Sequence, residues 1–175
     1  MDAFFTGGQE MLLPFPAIAA RLALAALLGA VIGFEREWRM RPAGLRTHIL
    51  ICLASALIAI LSIEITHMSV FTGDTVRFDP IRLIEAVTAG VSFLAAGMIV
   101  FARGEVHGLT TGAGMWLAAA VGLSCGLGFW QIGLFACVLA VIVLSVLHQV
   151  EKRFGLDDNN KIGNGESKRQ PSDQS

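Results

Sequence analysis

The feature that most constrains this chain is an uncharged run from Leu109 to Leu147, 39 residues without one Asp, Glu, Lys or Arg. As a helix rising about 1.5 Å per residue, the run would be roughly 58 Å long, whereas the hydrocarbon core of a bilayer is about 30 Å thick. One membrane span cannot use that length, but two can if the chain turns near residues 126–131. The run therefore predicts an integral membrane protein with two adjacent transmembrane helices.

Three further apolar stretches and the composition agree with this class. Because 54% of the 175 residues are hydrophobic and 15% are charged, the chain has too little polar surface for a water-soluble domain. We predict an all-α integral membrane protein with one five-helix transmembrane domain at residues 17–148. The fourth helix is short and glycine-rich, and if it were re-entrant the C-terminus would change sides. The predicted helices are residues 17–34, 47–65, 83–102, 112–128 and 129–148.

The placement of Lys and Arg predicts the orientation. The second loop holds two of these residues, Arg77 and Arg82. The first loop, the third loop and the C-terminal segment hold ten: Arg36, Arg39, Arg41, Arg46, Arg103, Lys152, Arg153, Lys161, Lys168 and Arg169. Since basic loops stay in the cytoplasm, we expect the N-terminal residues 1–16 outside. The polar residues 149–175 are expected to be a cytoplasmic, largely disordered tail.

Small residues recur at helical spacing and predict how the helices pack. Lipid gives no hydrophobic drive for helix association, so close backbone contact must supply it. We predict packing at Gly29 and Gly33 of the first helix, Gly90 and Gly97 of the third, and Gly122 of the fourth. A glycine-lined passage or a hinge is the alternative interpretation.

The segment between the first two helices is the most distinctive chemical feature of the sequence. Glu35 and Arg39 are four residues apart, so they share a helix face and can pair. Pro42 and Gly44 shape a short turn, and Arg46 opens the next helix near the anionic lipid surface. Two interpretations stay open: a segment that serves only topology and packing, or a binding or regulatory surface.

Three motifs in a fixed order carry a resemblance to a known family. They are GAVIGFEREWRMRPAGLRTHILICLASAL, DPIRLIEAVTAGVSFLAAGMIV and VHGLTTGAGMWLAAAVGLSCGLG, and together they span about Arg21 to Gly128. This arrangement resembles the signature of the MgtC/SapB family of bacterial inner-membrane proteins. We transfer the functional positions of the family motifs to the matching residues of this chain and add Arg39. The predicted functional or interaction residues are then Glu35, Arg36, Arg39, Pro42, Gly44, Leu45, Arg46, Thr47, Asp79, Arg82, Thr110 and Thr111.

The resemblance implies a multi-pass inner-membrane protein tied to growth in low magnesium and, in some pathogens, to survival inside macrophages. It implies modulation of other membrane machinery, with the ATP synthase as one partner, and leaves magnesium transport as the alternative. Membrane lipid is the other expected partner, nucleic acid is not expected, and a homo-oligomer stays open. The folded cytoplasmic C-terminal domain of longer members is missing, so a function that depends on it is not expected here.

The motifs also depart from the family pattern. Ser92 and Ala95 replace two glycines of the third helix, whereas Gly112 and Gly114 replace an alanine and a small polar residue after Thr111. These exchanges shift packing bulk between the third and fourth helices.

A cation path is not favoured by the distribution of charge. Asp79, Glu85 and Glu64 gather near the outer ends of the helices, but Arg82 is spaced to pair with Asp79 or Glu85. The predicted midplane holds no ionisable residue, although such residues are the default sign of an ion path. Arg21 lies early in the first helix, where it either snorkels to the headgroups or pairs with Glu64 or Glu85.

No pattern of catalytic residues is present, since HExxH, Walker A and GxSxG motifs are all missing. We therefore predict no enzyme activity, no metal ligand set and no cofactor. The four histidines, among them His48, are interpreted as interface residues at the ends of the spans. Thr110 and Thr111 are expected to cap the fourth helix, with a ligand contact as the minority interpretation.

Overall fold

The computed structural model describes residues 11–67, 79–102 and 105–153. Within these ranges it contains five helices and one two-stranded hairpin. In chain order the elements are α1 (Phe15–Trp38), α2 (Leu45–Thr66), α3 (Pro80–Met98), β1 (Val100–Ala102), β2 (Glu105–His107), α4 (Leu109–Leu127) and α5 (Trp130–Arg153). Helices α1 to α4 are long and apolar enough to cross a membrane, and α5 carries an apolar stretch, Trp130–Val146. The chain is therefore an all-α multi-pass membrane protein, as predicted.

Helix α4 is the centre of the bundle. It packs against α1, α2 and α3, and 61% of its apolar span is buried, compared with 11% for α3. At 19 residues it is about 28 Å long, close to the thickness of the hydrocarbon core. The helix that looked weakest in the sequence is thus continuous and the most enclosed of the four.

Glycines let the backbones of α1, α2 and α4 approach closely. A Cβ atom at Gly29 would lie 2.8 Å from the carbonyl oxygen of His48, and one at Gly33 would lie on the backbone of α2. On α4, a Cβ at Gly122 would overlap the carbonyl oxygen of Cys52. These three glycines lie where the sequence predicts helix contacts, and any larger residue there would push two helices apart.

The other two predicted packing glycines, Gly90 and Gly97, do not lie at a helix contact. Both are exposed on α3, and a Cβ at either position would meet no described atom within 4 Å. Helix α3 instead turns a face with buried Val87 and Val91 toward the bundle. One turn further on, Ala95 Cβ would lie 3.3 Å from a Cβ at Gly112 of α4.

Helix α3 ends at Met98, four residues before the predicted end, because the chain that follows forms a β-hairpin. Val100 pairs with His107 and Phe101 with Val106 in antiparallel register. The hairpin returns directly to α4 through Gly108, whose φ of +89° is in the left-handed region. Glycine adopts that conformation at little cost, and a Cβ there would overlap the carbonyl oxygen of Met98.

The turn between α4 and α5 lies inside the uncharged run. Gly128 has a φ of +92° and its N–H donates to the carbonyl of Cys125 at 3.1 Å, while the N–H of Phe129 donates to Ser124 at 2.8 Å. This pair of bonds is the Schellman pattern that ends many helices at a glycine. The turn divides the uncharged run within residues 126–131, where the length of the run predicted it.

Helices α1 to α4 and α5 as far as Val141 belong to one compact unit. Several predictions fall outside the described residues. They concern the tail beyond Arg153, the first ten residues, and the basic residues Arg77 and Arg103.

Candidate functional site

The segment between α1 and α2 is folded by its own backbone. The N–H of Met40 donates to Glu37 at 2.9 Å and the N–H of Arg41 donates to Arg36 at 3.1 Å, so α1 also ends in a Schellman pattern. Met40 occupies the left-handed position, with a φ of +50°. A methionine there is unusual, because its Cβ makes this conformation costly. We call residues 36–46 the arginine loop.

Glu37 and Gly44 join the two ends of the arginine loop. The Glu37 carboxylate accepts a hydrogen bond at 3.0 Å from the N–H of Leu45, the first residue of α2. That bond satisfies one of the free amides of the helix start and places negative charge at the positive end of the helix dipole. A Cβ atom at Gly44 would overlap the same carboxylate oxygen. The glycine predicted from the motif is therefore required by the cap.

The outer surface of the arginine loop is both basic and apolar. The side chain of Met40 is 93% exposed and that of Trp38 is 77% exposed. Arg41, Pro42 and Arg46 are exposed beside them. By contrast, Ala43 is buried and anchors the loop, and Thr47 is half-buried. The loop thus presents a shaped surface on a fixed backbone.

Glu35 and Arg39 form the ion pair that their spacing predicts. Within the described part of the chain, neither oxygen of the mostly buried Glu35 carboxylate receives a hydrogen bond. The pair borders a surface groove of about 750 Å³. The other residues that line this groove are Ala30, Val31, Phe34, Trp38, Leu45 and Val141.

Arg36 points the opposite way, into the bundle. Its side chain is 2% exposed, and its Nη2 donates to Thr111 Oγ1 on α4 at 3.1 Å. The structure therefore brings together two predicted residues that are 75 positions apart. Neither threonine caps α4, contrary to the prediction, because Gly108 is the N-cap residue. Thr110 is exposed, while Thr111 faces inward and is buried.

His48 completes this cluster, and the prediction that it is an interface residue is wrong. Its side chain is 0% exposed, one turn into α2. Its Nδ1 lies 2.9 Å from the carbonyl oxygen of Gly44, which can only accept, so Nδ1 carries a proton and donates. The spacing of four residues between Gly44 and His48 was the available signal. It showed a shared helix face but not that this face is buried.

The polar residues at the opposite end of the bundle do not join this site. Arg21 donates from Nη1 to the carbonyl of Gly126 at 2.8 Å, at the end of α4, and pairs with neither Glu64 nor Glu85. Glu64 instead accepts two backbone N–H groups at 2.9 Å each, those of Leu12 and Leu13. These contacts tie the ends of the helices together.

Asp79 and Arg82 lie at this same opposite end. Asp79 caps its own helix by accepting the N–H of Ile81 at 2.9 Å. Arg82 is exposed and forms no ion pair with Asp79 or Glu85 in the described structure. Among the described residues, no three His, Cys, Asp or Glu side chains come close enough together to hold a metal ion.

Comparison with known proteins adds a family to this geometry. The model of the MgtC family matches residues 22–153. The chain is 41% identical over 133 residues to a protein of Escherichia coli (strain K12) named "Putative magnesium transporter YhiD", covering 76% of this chain and 61% of that protein. It is 36% identical to Protein SapB of Bacillus subtilis over 81% of this chain and 61% of that protein.

A third relative is Protein MgtC of Salmonella typhimurium (strain LT2), which is 36% identical over 83% of this chain and 58% of its own length. The chain thus spans less than two thirds of these three relatives. No solved structure matches it.

Proposed function

The chain belongs to the MgtC family, and from this membership we propose that it is a bacterial inner-membrane protein that modulates another membrane complex when magnesium is scarce. Its relatives link it to the membrane and to magnesium. Modulation requires a surface that a partner can recognise, and the arginine loop is the best candidate for that surface.

The observation that carries this proposal is the exposed, left-handed Met40 between Trp38 and Arg41. Tryptophan, arginine and methionine are enriched in the cores of protein interfaces. The backbone here is held by the two hydrogen bonds that end α1, so a partner would not have to order it on binding. A strained conformation that displays an almost fully exposed apolar side chain is more typical of a recognition surface than of a simple connection.

We propose that this loop faces the cytoplasm and that the N-terminus lies outside. The excess of arginine in the first loop supports this orientation through the positive-inside rule. The end of the bundle with Glu64 and Asp79 would then face outward. The partner is a second membrane protein or complex, with the ATP synthase as the first candidate by family resemblance.

Magnesium transport is the second candidate function, because one relative carries that activity in its name. The geometry favours it less. Hard cations need oxygen ligands, and the carboxylates of Glu64 and Asp79 are already engaged by backbone N–H groups. At the other end of the bundle, the guanidinium of Arg36 is buried, and its positive charge repels a cation.

Site-specific photocrosslinking in cells tests the proposed surface. A photoreactive amino acid replaces Arg41 or Arg46, and the same substitution at the exposed Arg82 of the opposite end is the matched control. We expect one defined membrane protein in the adducts from Arg41 and Arg46, and none of it from Arg82. Adducts with lipid alone at the loop positions would contradict the proposal, since they would leave the loop as a membrane anchor.

A further inference from the structure

Two buried polar atoms in the Arg36 cluster have no hydrogen-bond partner within the described chain. They are Nε of Arg36 and Nε2 of His48, and their side chains are 2% and 0% exposed. Buried polar groups in proteins are nearly always paired, and an unpaired charged donor is especially costly. Both atoms therefore need a hydrogen-bond partner from outside the described chain.

Both atoms lie near one place, the position that a side chain of residue 114 on α4 would occupy. A Cβ atom there would lie 3.3 Å from His48 Nε2 and 3.9 Å from Arg36 Nε. Apart from the backbone of its own helix and its chain neighbours, it would meet no other described atom within 4 Å. A side chain at position 114 would thus lie against both nitrogens, and the glycine leaves that position free.

The electrostatic potential at this place favours a negative ligand. Arg36 carries a full positive charge, and the carboxylates of Glu35 and Glu37 are engaged by Arg39 and by the N–H of Leu45. His48 and Thr111 lie in the first turns of α2 and α4, and helix N-termini carry about half a unit of positive charge each. The negative end of the α1 dipole, also about half a unit of charge, offsets only part of this positive charge.

We propose that Arg36, His48 and Gly114 form a binding site for a small inorganic anion of about the size of chloride. The anion accepts a hydrogen bond from Arg36 Nε–H and one from His48 Nε2–H. Since Nδ1 already donates to Gly44, Nε2 donates only when the ring carries a second proton, so the anion and this proton bind together. This inference does not depend on the proposed partner.

A second proton on the imidazole needs an anion beside it. Burial and the guanidinium of Arg36 oppose that proton, whereas the carboxylate of Glu35, also on α1, favours it. Its own helix contributes Arg46, which is exposed, and α4 contributes the neutral Thr111. The anion would therefore neutralise the charge that the second proton adds next to a guanidinium.

The test compares the anion response of the purified full chain and of three variants. Thermal unfolding in detergent is measured in chloride and in gluconate at equal ionic strength, and ³⁵Cl NMR line broadening reports binding directly. We expect chloride at about ten times its Kd to raise Tm of the native chain by about 3–6 °C. Gly114→Ala places a methyl group between the two nitrogens and should abolish both signals.

Gly114→Ser provides a second variant that should fold well. Its hydroxyl can accept from Arg36 Nε–H and donate to a singly protonated His48 Nε2, so it replaces the anion and should make Tm independent of chloride. Gly90→Ala, on the exposed face of α3, is the matched control and should keep the native response. No chloride effect in the native chain, or the native effect in both Gly114 variants, would overturn the site and leave water as the partner of the two nitrogens.

Discussion

At the scale of single residues, the buried guanidinium of Arg36 organises the end of the bundle where α1 meets α2 and α4. It reaches Thr111 on α4 and lies close to His48 of α2, so three helices meet around one charge. The motifs predicted Arg36 and Thr111 as separate functional residues. Their contact could not be predicted. Residue spacing indicates which side chains share a helix face, but it does not indicate which distant helix packs against that face.

Removing the acceptor for Arg36 should weaken the fold. Thr111→Val keeps the side-chain shape but leaves Nη2 of a buried cation without its partner, so we expect a loss of about 1.5–3 kcal/mol in the free energy of unfolding. The matched control is Thr110→Val at the exposed neighbour, which should stay within about 0.5 kcal/mol of the native chain. Chemical unfolding in mixed micelles measures both, and equal effects of the two variants would contradict this role.

A second residue-scale prediction concerns the Glu37 cap. Gly44→Ala should cost about 1 kcal/mol, because the methyl group displaces the carboxylate that accepts from Leu45 N–H. In a Glu37→Ala background the same change should cost much less, since nothing remains to be displaced. A double-mutant cycle on the free energies of unfolding measures this coupling between positions 37 and 44. If the losses of the two single variants simply add in the double variant, Gly44 is needed for its backbone conformation and not for the Glu37 cap.

At the scale of elements, the position of α4 is the main result. The sequence shows it as short and rich in glycine, and its glycines follow from its central place, where the backbone of α2 lies too close for larger side chains. Gly122 was predictable from small-residue spacing, whereas Gly90 and Gly97 also recur at a helical spacing and yet lie on an exposed face. Spacing alone does not tell which side of a helix faces a neighbour when both sides are apolar.

The hairpin after α3 was missed for a related reason. Residues 99–102 continue an apolar run, and in a membrane protein such a run predicts helix. The cross-strand pairing of Phe101 with Val106 depends on residues on both sides of a turn, which hydropathy does not register.

The packing of α4 can be tested by comparing a glycine at a close helix contact with a glycine on an exposed helix face. Gly122→Ala should lower the free energy of unfolding by about 2–3 kcal/mol, because the methyl group would overlap the backbone of Cys52. Gly90→Ala should leave stability unchanged or raise it by up to about 1 kcal/mol, since alanine is the better helix former and the position is exposed. Thermal unfolding of the purified variants is the measurement. A stable Gly122→Ala protein would show that α2 and α4 are further apart.

At the scale of the whole molecule, polar chemistry lies at the two ends and the middle is a packed apolar bundle. One end holds the arginine loop and the Arg36 cluster, and the other holds Arg21, Glu64 and Asp79 in contacts with backbone groups. The class, the helix count and the turn between α4 and α5 follow from hydropathy. Hydropathy does not predict the hydrogen bonds from backbone N–H groups to the carboxylates, because these bonds depend on where the ends of the helices meet.

We propose that this chain acts on other membrane machinery and does not itself carry magnesium. Uptake of magnesium into proteoliposomes that contain only the purified chain, followed with an internal fluorescent indicator, tests this most directly. We predict an uptake rate equal to that of protein-free liposomes, with or without an imposed membrane potential. Saturable uptake that rises with the amount of protein and falls on substitution of Glu64 or Asp79 would contradict the claim.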